Sequence, residues 1–210
     1  MMLLVSLLLF LLVSPLVQKD LASKLILLAS MYVILLAAIV ALSSLKGTRW
    51  PAILLTITSM LSTVIWFIYP LRPLLVANWV LLVVFFGFVS AGLFSYLGDS
   101  GPVTNGRMYA SGSLYLILGL FWWAIYGLID TLHPGSFAEA AESSSGGLQH
   151  YTLVYFSLAT LTTLGYGDVL PTTAIARICA SLEASTGVFY IAIMVARLVS
   201  SYDRTRIDNV

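Results

Sequence analysis

Six apolar stretches run through the chain, at residues 1–17, 21–42, 50–69, 74–97, 113–132 and 172–201. Short polar or proline-marked breaks separate the first five, among them "QKD", "SSLKGTRWP", "YPLRP" and "GDSGPVTNGRM". About 20 apolar residues are what a helix needs to cross the hydrocarbon core of a bilayer. In that core only helices and closed barrels satisfy their own backbone groups. The pattern therefore predicts an all-α integral membrane protein with six transmembrane helices. Composition agrees: the chain is 60% hydrophobic and 9% charged, with a mean hydropathy of +1.00, whereas soluble domains carry roughly 25% charged residues. A net charge of +1 gives no electrostatic footprint for nucleic acid. Cys179 is the only cysteine, which excludes an intrachain disulfide or a cysteine metal cage. His133 and His150 have no suitably spaced acidic or histidine partners that would suggest a metal site; no cofactor and no enzymatic activity are expected.

The first stretch lacks the basic leader and small-residue cleavage site of a secretory signal, so it is expected to remain as a helix. With the N-terminus inside, Lys46, Arg49, Arg107, Arg197, Arg204 and Arg206 fall inside, and Lys19, Lys24, Arg72 and Arg177 fall at or near the outside. That bias follows the positive-inside tendency only weakly. Orientation rests more on what lies between the last two stretches. There "HPGSFAEAAESSSGG" is small, acidic and loop-like, and "LQHYTLVYFSLATLT" is apolar but too short to cross. It leads into "TLTTLGYGDVLP", Thr160 to Pro171. A short helix followed by non-helical backbone that returns to the same side is allowed in a membrane only where it is buried in protein or lines a water-filled path.

Moving an alkali cation through a bilayer means replacing its hydration shell, and a column of carbonyl oxygens can do so. To aim successive carbonyls at one axis, the backbone must alternate between right- and left-handed conformations. Glycine takes the left-handed ones without the Cβ penalty. Gly165 and Gly167 alternate with Leu164 and Tyr166 as that geometry requires, and Thr163 adds a hydroxyl at the inner end.

"TLTTLGYGD" resembles the signature of tetrameric potassium channels, Thr-x-Thr-Thr-Val-Gly-Tyr-Gly-Asp, with Leu164 where that family commonly has Val or Ile. The resemblance runs on through Pro171, Arg177 and Gly187 and covers about the last hundred residues; the front four helices match only the general six-helix plan. It implies a re-entrant pore helix and a selectivity-filter loop between the fifth and sixth helices. On that reading residues 1–98 form a four-helix membrane domain, 99–112 a cytoplasmic linker, 113–201 the pore domain and 202–210 a short cytoplasmic tail. K+ is then the permeating ion, held by Thr163, Leu164, Gly165, Tyr166 and Gly167, with Asp168 and Thr162 as supports of the filter. Gly187 stands at the family's inner-helix hinge, although a close-packing site is an equal reading. Val188, Ile191, Val195 and Val199 line the inner cavity and gate. One chain supplies one filter strand, so a homotetramer in the lipid bilayer of the plasma membrane is implied.

The span at 74–97 contains no basic residue, and a helix without charge gains nothing from the membrane field, so strong voltage gating is not expected. A weakly selective cation channel and a non-conducting subunit or carrier are the alternatives; helices one to four show no broken helix with buried charge, which counts against a carrier. Asp130, Glu139, Glu142 and Asp168 either concentrate cations at the outer mouth or simply solvate a loop. "FWWAIYG" at 121–127 packs behind the pore helix or faces lipid.

Glu183 is the one acid deep within an expected span, about 16 Å below Thr172. It is turned away from the face of Ala184, Val188 and Ile191, toward the outer or pore helix. There the hydroxyls of Ser157, Thr160, Thr162 or Tyr126 are its candidate partners. Burial disfavours a charged acid. The residue either braces the filter from behind or only packs. The resemblance places Ala159 where some family members carry a bracing carboxylate.

Overall fold

The computed structural model describes residues 1–16, 21–42, 49–98, 104–139 and 150–207. Helix α1 spans Met2–Val13, α2 Leu21–Leu42, α3 Arg49–Ile68, α4 Arg72–Gly98 and α5 Asn105–Leu132. Strand β1 (Phe137–Glu139), helix α6 (His150–Leu161), strand β2 (Val169–Pro171) and helix α7 (Ala174–Ile207) follow. Among the described residues, four helices are long and apolar enough to cross a bilayer: α3, α4, α5 and the Ala174–Arg197 part of α7. The shorter apolar helices are α1, the Leu28–Leu42 part of α2, and the Tyr151–Leu161 part of α6.

Two expectations about helix length need correction. The first apolar stretch is a helix of only 12 residues, about 18 Å long, against a hydrocarbon core of about 30 Å. Pro15 has no N–H to continue the ladder, and the chain tightens into a 3-10 turn over Ser14–Leu16. The fifth helix, in contrast, begins at Asn105 and not near Ser113. The Thr104 carbonyl accepts the N–H groups of Arg107 (2.9 Å) and Met108 (3.1 Å). A Cβ on Gly112 would touch Leu4 of α1 at 3.5 Å, so packing against α1 supports this added length. Of the expected linker, residues 99–103 lie outside the described set.

Helix α5 is the hub. Lipid is as apolar as leucine, so helices in a membrane hold together by close packing and hydrogen bonds, and small residues mark the tight crossings. Toward α4, Gly127 lies beneath the Trp79 indole: a Cβ there would come within 2.5 Å of the ring. Trp79 in turn meets Trp123 edge-on at 5.2 Å, and Phe10 of α1 reaches the same Trp123 at 6.2 Å. Toward α6, a Cβ on Gly119 would meet Leu158 Cδ2 at 2.8 Å. Toward α7, Tyr190 donates to the Ser111 carbonyl at 2.6 Å and packs on Tyr115 and Phe94. Arg197 of α7 donates to the carbonyl of Leu97 at the end of α4. A guanidinium there satisfies a carbonyl the helix leaves open and suits the negative end of its dipole.

The helical expectation misses one feature. β1 and β2 pair antiparallel, with Phe137 opposite Pro171, Ala138 opposite Leu170 and Glu139 opposite Val169.

Candidate ion-conduction site

Helix α6 ends at Leu161, and the chain turns back against its own C-terminus. Thr162 donates to Leu158 O at 3.0 Å and Thr163 to Thr160 O at 2.9 Å. The N–H groups of Leu164 (2.8 Å) and Gly165 (3.2 Å) both point to the carbonyl of Ala159. From there left-handed backbone recurs at every second residue: φ is +57° at Thr163, +53° at Gly165 and +79° at Gly167. For Thr163 this costs about 1–2 kcal/mol, because its Cβ crowds the following carbonyl. For the glycines it costs nothing steric, and a Cβ on either would meet no atom within 4 Å. Their requirement is conformational alone.

Residues 162–168 are all exposed in the single chain. Leu164 and Tyr166 are 55% and 68% exposed, so their own chain covers each only in part. Tyr166 nevertheless stacks on Tyr155 of α6, with ring centroids 6.4 Å apart and planes 12° from parallel. The Tyr155 hydroxyl reaches both oxygens of Asp168, at 2.9 and 2.8 Å, while Asp168 Oδ1 accepts the N–H of Val169 at 3.1 Å. Tyr155 thus holds both the middle and the outer end of the loop to the short helix.

Beyond Asp168 the chain enters β2 and is fixed to the segment that follows α5. The Thr172 N–H donates to Ser136 O at 2.9 Å and its hydroxyl to Gly135 O at 2.6 Å. Arg177 Nε donates to Pro171 O at 3.1 Å. Phe137 inserts beneath this ribbon, 3% exposed, and touches Tyr126 (5.1 Å) and Phe156 (5.3 Å). Glu139, expected at the outer mouth, accepts the hydroxyl of Thr152 at 3.3 Å; Glu142 lies outside the described residues.

Behind α6, Glu183 is fully buried. Of its four candidate partners, Tyr126 donates to Oε2 and Ser157 Oγ lies 2.5 Å from Oε1. Thr162 instead bonds back to its own helix, at Leu158 O (2.7 Å). Ser157 Oγ is also 2.6 Å from the Gly119 carbonyl, so α5, α6 and α7 meet at this one carboxyl. Nearby, α7 passes the end of α6 so closely that a Cβ on Gly187 would collide with the Leu161 carbonyl oxygen and lie 2.9 Å from its carbon. Val188, Ile191 and Val195 are left largely uncovered by the chain, at 50–57% exposure. The side chain of Val199 lies outside the described residues.

Sequence reasoning missed Tyr155 and Phe137, and read Arg197 only as an inside charge. Tyr155 carried a usable signal, an aromatic one helix turn before Ala159 on the helix that feeds the loop. Phe137 sits in a segment that reads as plain loop.

Residues 113–203 match the family described as "Ion channel". The A-type voltage-gated potassium channel KCND3 of Rattus norvegicus and that of Homo sapiens are each 35% identical to this chain over 73 residues, 35% of the chain. That stretch is 11% of either relative, so the chain spans only about a ninth of their length. No solved structure matches. The stretch from the first third of α5 to the last turns of α7 is therefore similar to ion-channel domains, in a helical chain whose described helices include four long and apolar enough to span a membrane.

Proposed function

We propose that the chain is one subunit of a homotetrameric, potassium-selective channel that conducts K+ passively across the plasma membrane. The observation that carries this reading is the alternation of backbone hand at Thr163, Gly165 and Gly167, directly after a helix too short to span a bilayer. Carbonyls of Thr163, Leu164, Gly165, Tyr166 and Gly167 replace the ion's water, and the Thr163 hydroxyl adds a ligand at the inner end. One copy leaves this loop open. Exposed non-helical backbone is intolerable against lipid, and four copies around an axis turn that exposure into the wall of a pore. The apolar side of α7, with Val188, Ile191, Val195 and Val199, then lines the inner cavity and gate.

The re-entrant arrangement puts α6 and the loop between α5 and α7, with Asp168, Thr162 and Glu183 as filter supports. The front part of the chain supplies the remaining elements of a six-helix plan, in which α1 reaches only part of the way across, given its length. Helix α4 has Arg72 at its first position and no lysine or arginine beyond it, so the opening equilibrium lacks the charge series that would couple it to voltage. No cofactor takes part.

Purified protein in liposomes under a potassium gradient tests the reading. Ionophore-coupled uptake is expected with K+ and not with Na+. Equal flux of both ions favours the weakly selective alternative, and no flux of either favours a non-conducting subunit.

A further inference from the structure

Ser157 sits between two acceptors with one proton to give. Its Oγ is 2.6 Å from the Gly119 carbonyl oxygen and 2.5 Å from Glu183 Oε1. A carbonyl only accepts, and a serine hydroxyl has one hydrogen and two lone pairs. If Ser157 gave its proton to an ionised Glu183, its oxygen would face the Gly119 oxygen lone pair to lone pair, fully buried. If it gave its proton to Gly119, it would face a bare carboxylate in the same way. One arrangement places a hydrogen in every contact: Tyr126 donates to Glu183 Oε2, Glu183 donates from Oε1 to Ser157, and Ser157 donates to Gly119.

The surroundings agree with that count. The titratable groups facing Glu183 are Tyr115 and Tyr126 of α5 and Cys179 of α7, and none of these brings a positive charge. A buried carboxylate without a cation is costly, whereas a neutral acid with both oxygens bonded is not. At Gly119, α6 presses closely on α5 by way of Leu158, so the chain of hydrogen bonds ends at a tight crossing of the short helix. Four residues after Ser157 the same helix ends, and the conducting loop begins.

We propose that Glu183 is a neutral carboxylic acid whose proton, donated to Ser157, locks α6 to α5 and α7, making Glu183 a positioning residue for the filter. The filter consequence rests on the channel reading above; the proton assignment does not.

The test separates the two. Infrared difference spectra between wild-type protein and Glu183→Gln, in detergent at neutral pH, are expected to show the carbonyl stretch of a protonated acid lost in the variant. Loss of a carboxylate stretch in its place overturns the assignment, whether or not the protein conducts. Ser157→Ala should shift the acid band by removing its acceptor, and an unmoved band also overturns it. For positioning, Glu183→Gln retains a donor for Ser157 and an acceptor for Tyr126, so it should conduct like wild type. Glu183→Ala and Glu183→Asp should lose at least tenfold in steady current. Should Glu183→Ala fail to assemble, Glu183→Asp carries the comparison. Loss of current in Gln equal to that in Asp overturns the positioning role.

Discussion

Gly187→Ala separates a packing glycine from a hinge. The added methyl would collide with the Leu161 carbonyl oxygen and approach its carbon to 2.9 Å. A backbone carbonyl at the end of α6 cannot rotate aside as a side-chain tip does, so α7 must shift outward. Overpacking of this kind costs about 1–3 kcal/mol, and the rigid partner puts this case near 3. Alanine returns about 1 kcal/mol through its better helix propensity, leaving a net loss of about 2 kcal/mol. For a chain of this size each kcal/mol lowers the melting midpoint by about 2–4 °C, giving an expected drop of about 4–8 °C. Tryptophan fluorescence during heating of the detergent-solubilised protein reads it, since Trp79 and Trp123 pack together between α4 and α5. A midpoint unchanged or raised would refute the packing argument. A raised midpoint with fewer openings is what a hinge alone would give.

Gly165→Ala should abolish the preference for K+ over Na+, because φ of +53° strains alanine although no atom obstructs its methyl; unchanged selectivity in bi-ionic recordings would count against carbonyl coordination. Tyr155→Phe keeps the ring stacked on Tyr166 but removes the hydroxyl that reaches both oxygens of Asp168. Sustained current in that variant should decay faster during long recordings, and decay identical to wild type would remove Asp168 from the support of the loop. Open probability should change little with voltage, since one elementary charge moved through the full field is worth about 2.3 kcal/mol per 100 mV and α4 carries no arginine series; activation equivalent to several gating charges would contradict this.

The parts legible in the sequence are those fixed by backbone chemistry or by length. Only glycine adopts left-handed backbone freely, so the spacing of Gly165 and Gly167 makes the alternation legible in the sequence. Thr163 joins the same pattern without a glycine's freedom, and no composition rule would have required it to. Apolar runs gave the helices, but a run reports hydropathy and not helix continuity, and Pro15 cut the first one short. The β1–β2 ribbon stayed hidden because three-residue strands have no periodicity to read. Glu183 was conspicuous as an acid in an apolar span, and helix geometry turned it toward the right neighbours. Which hydroxyls met it depended on how closely α6 approaches α5 at Gly119, a tertiary fact.

The most direct measurement is the reversal potential of single-channel current from purified wild-type protein in a planar bilayer, with KCl on one side and NaCl on the other. A reversal potential displaced strongly toward the potassium equilibrium value is expected if the carbonyls of 163–167 form the conducting path. A reversal near zero, or an absence of current from verified tetramers, would contradict it.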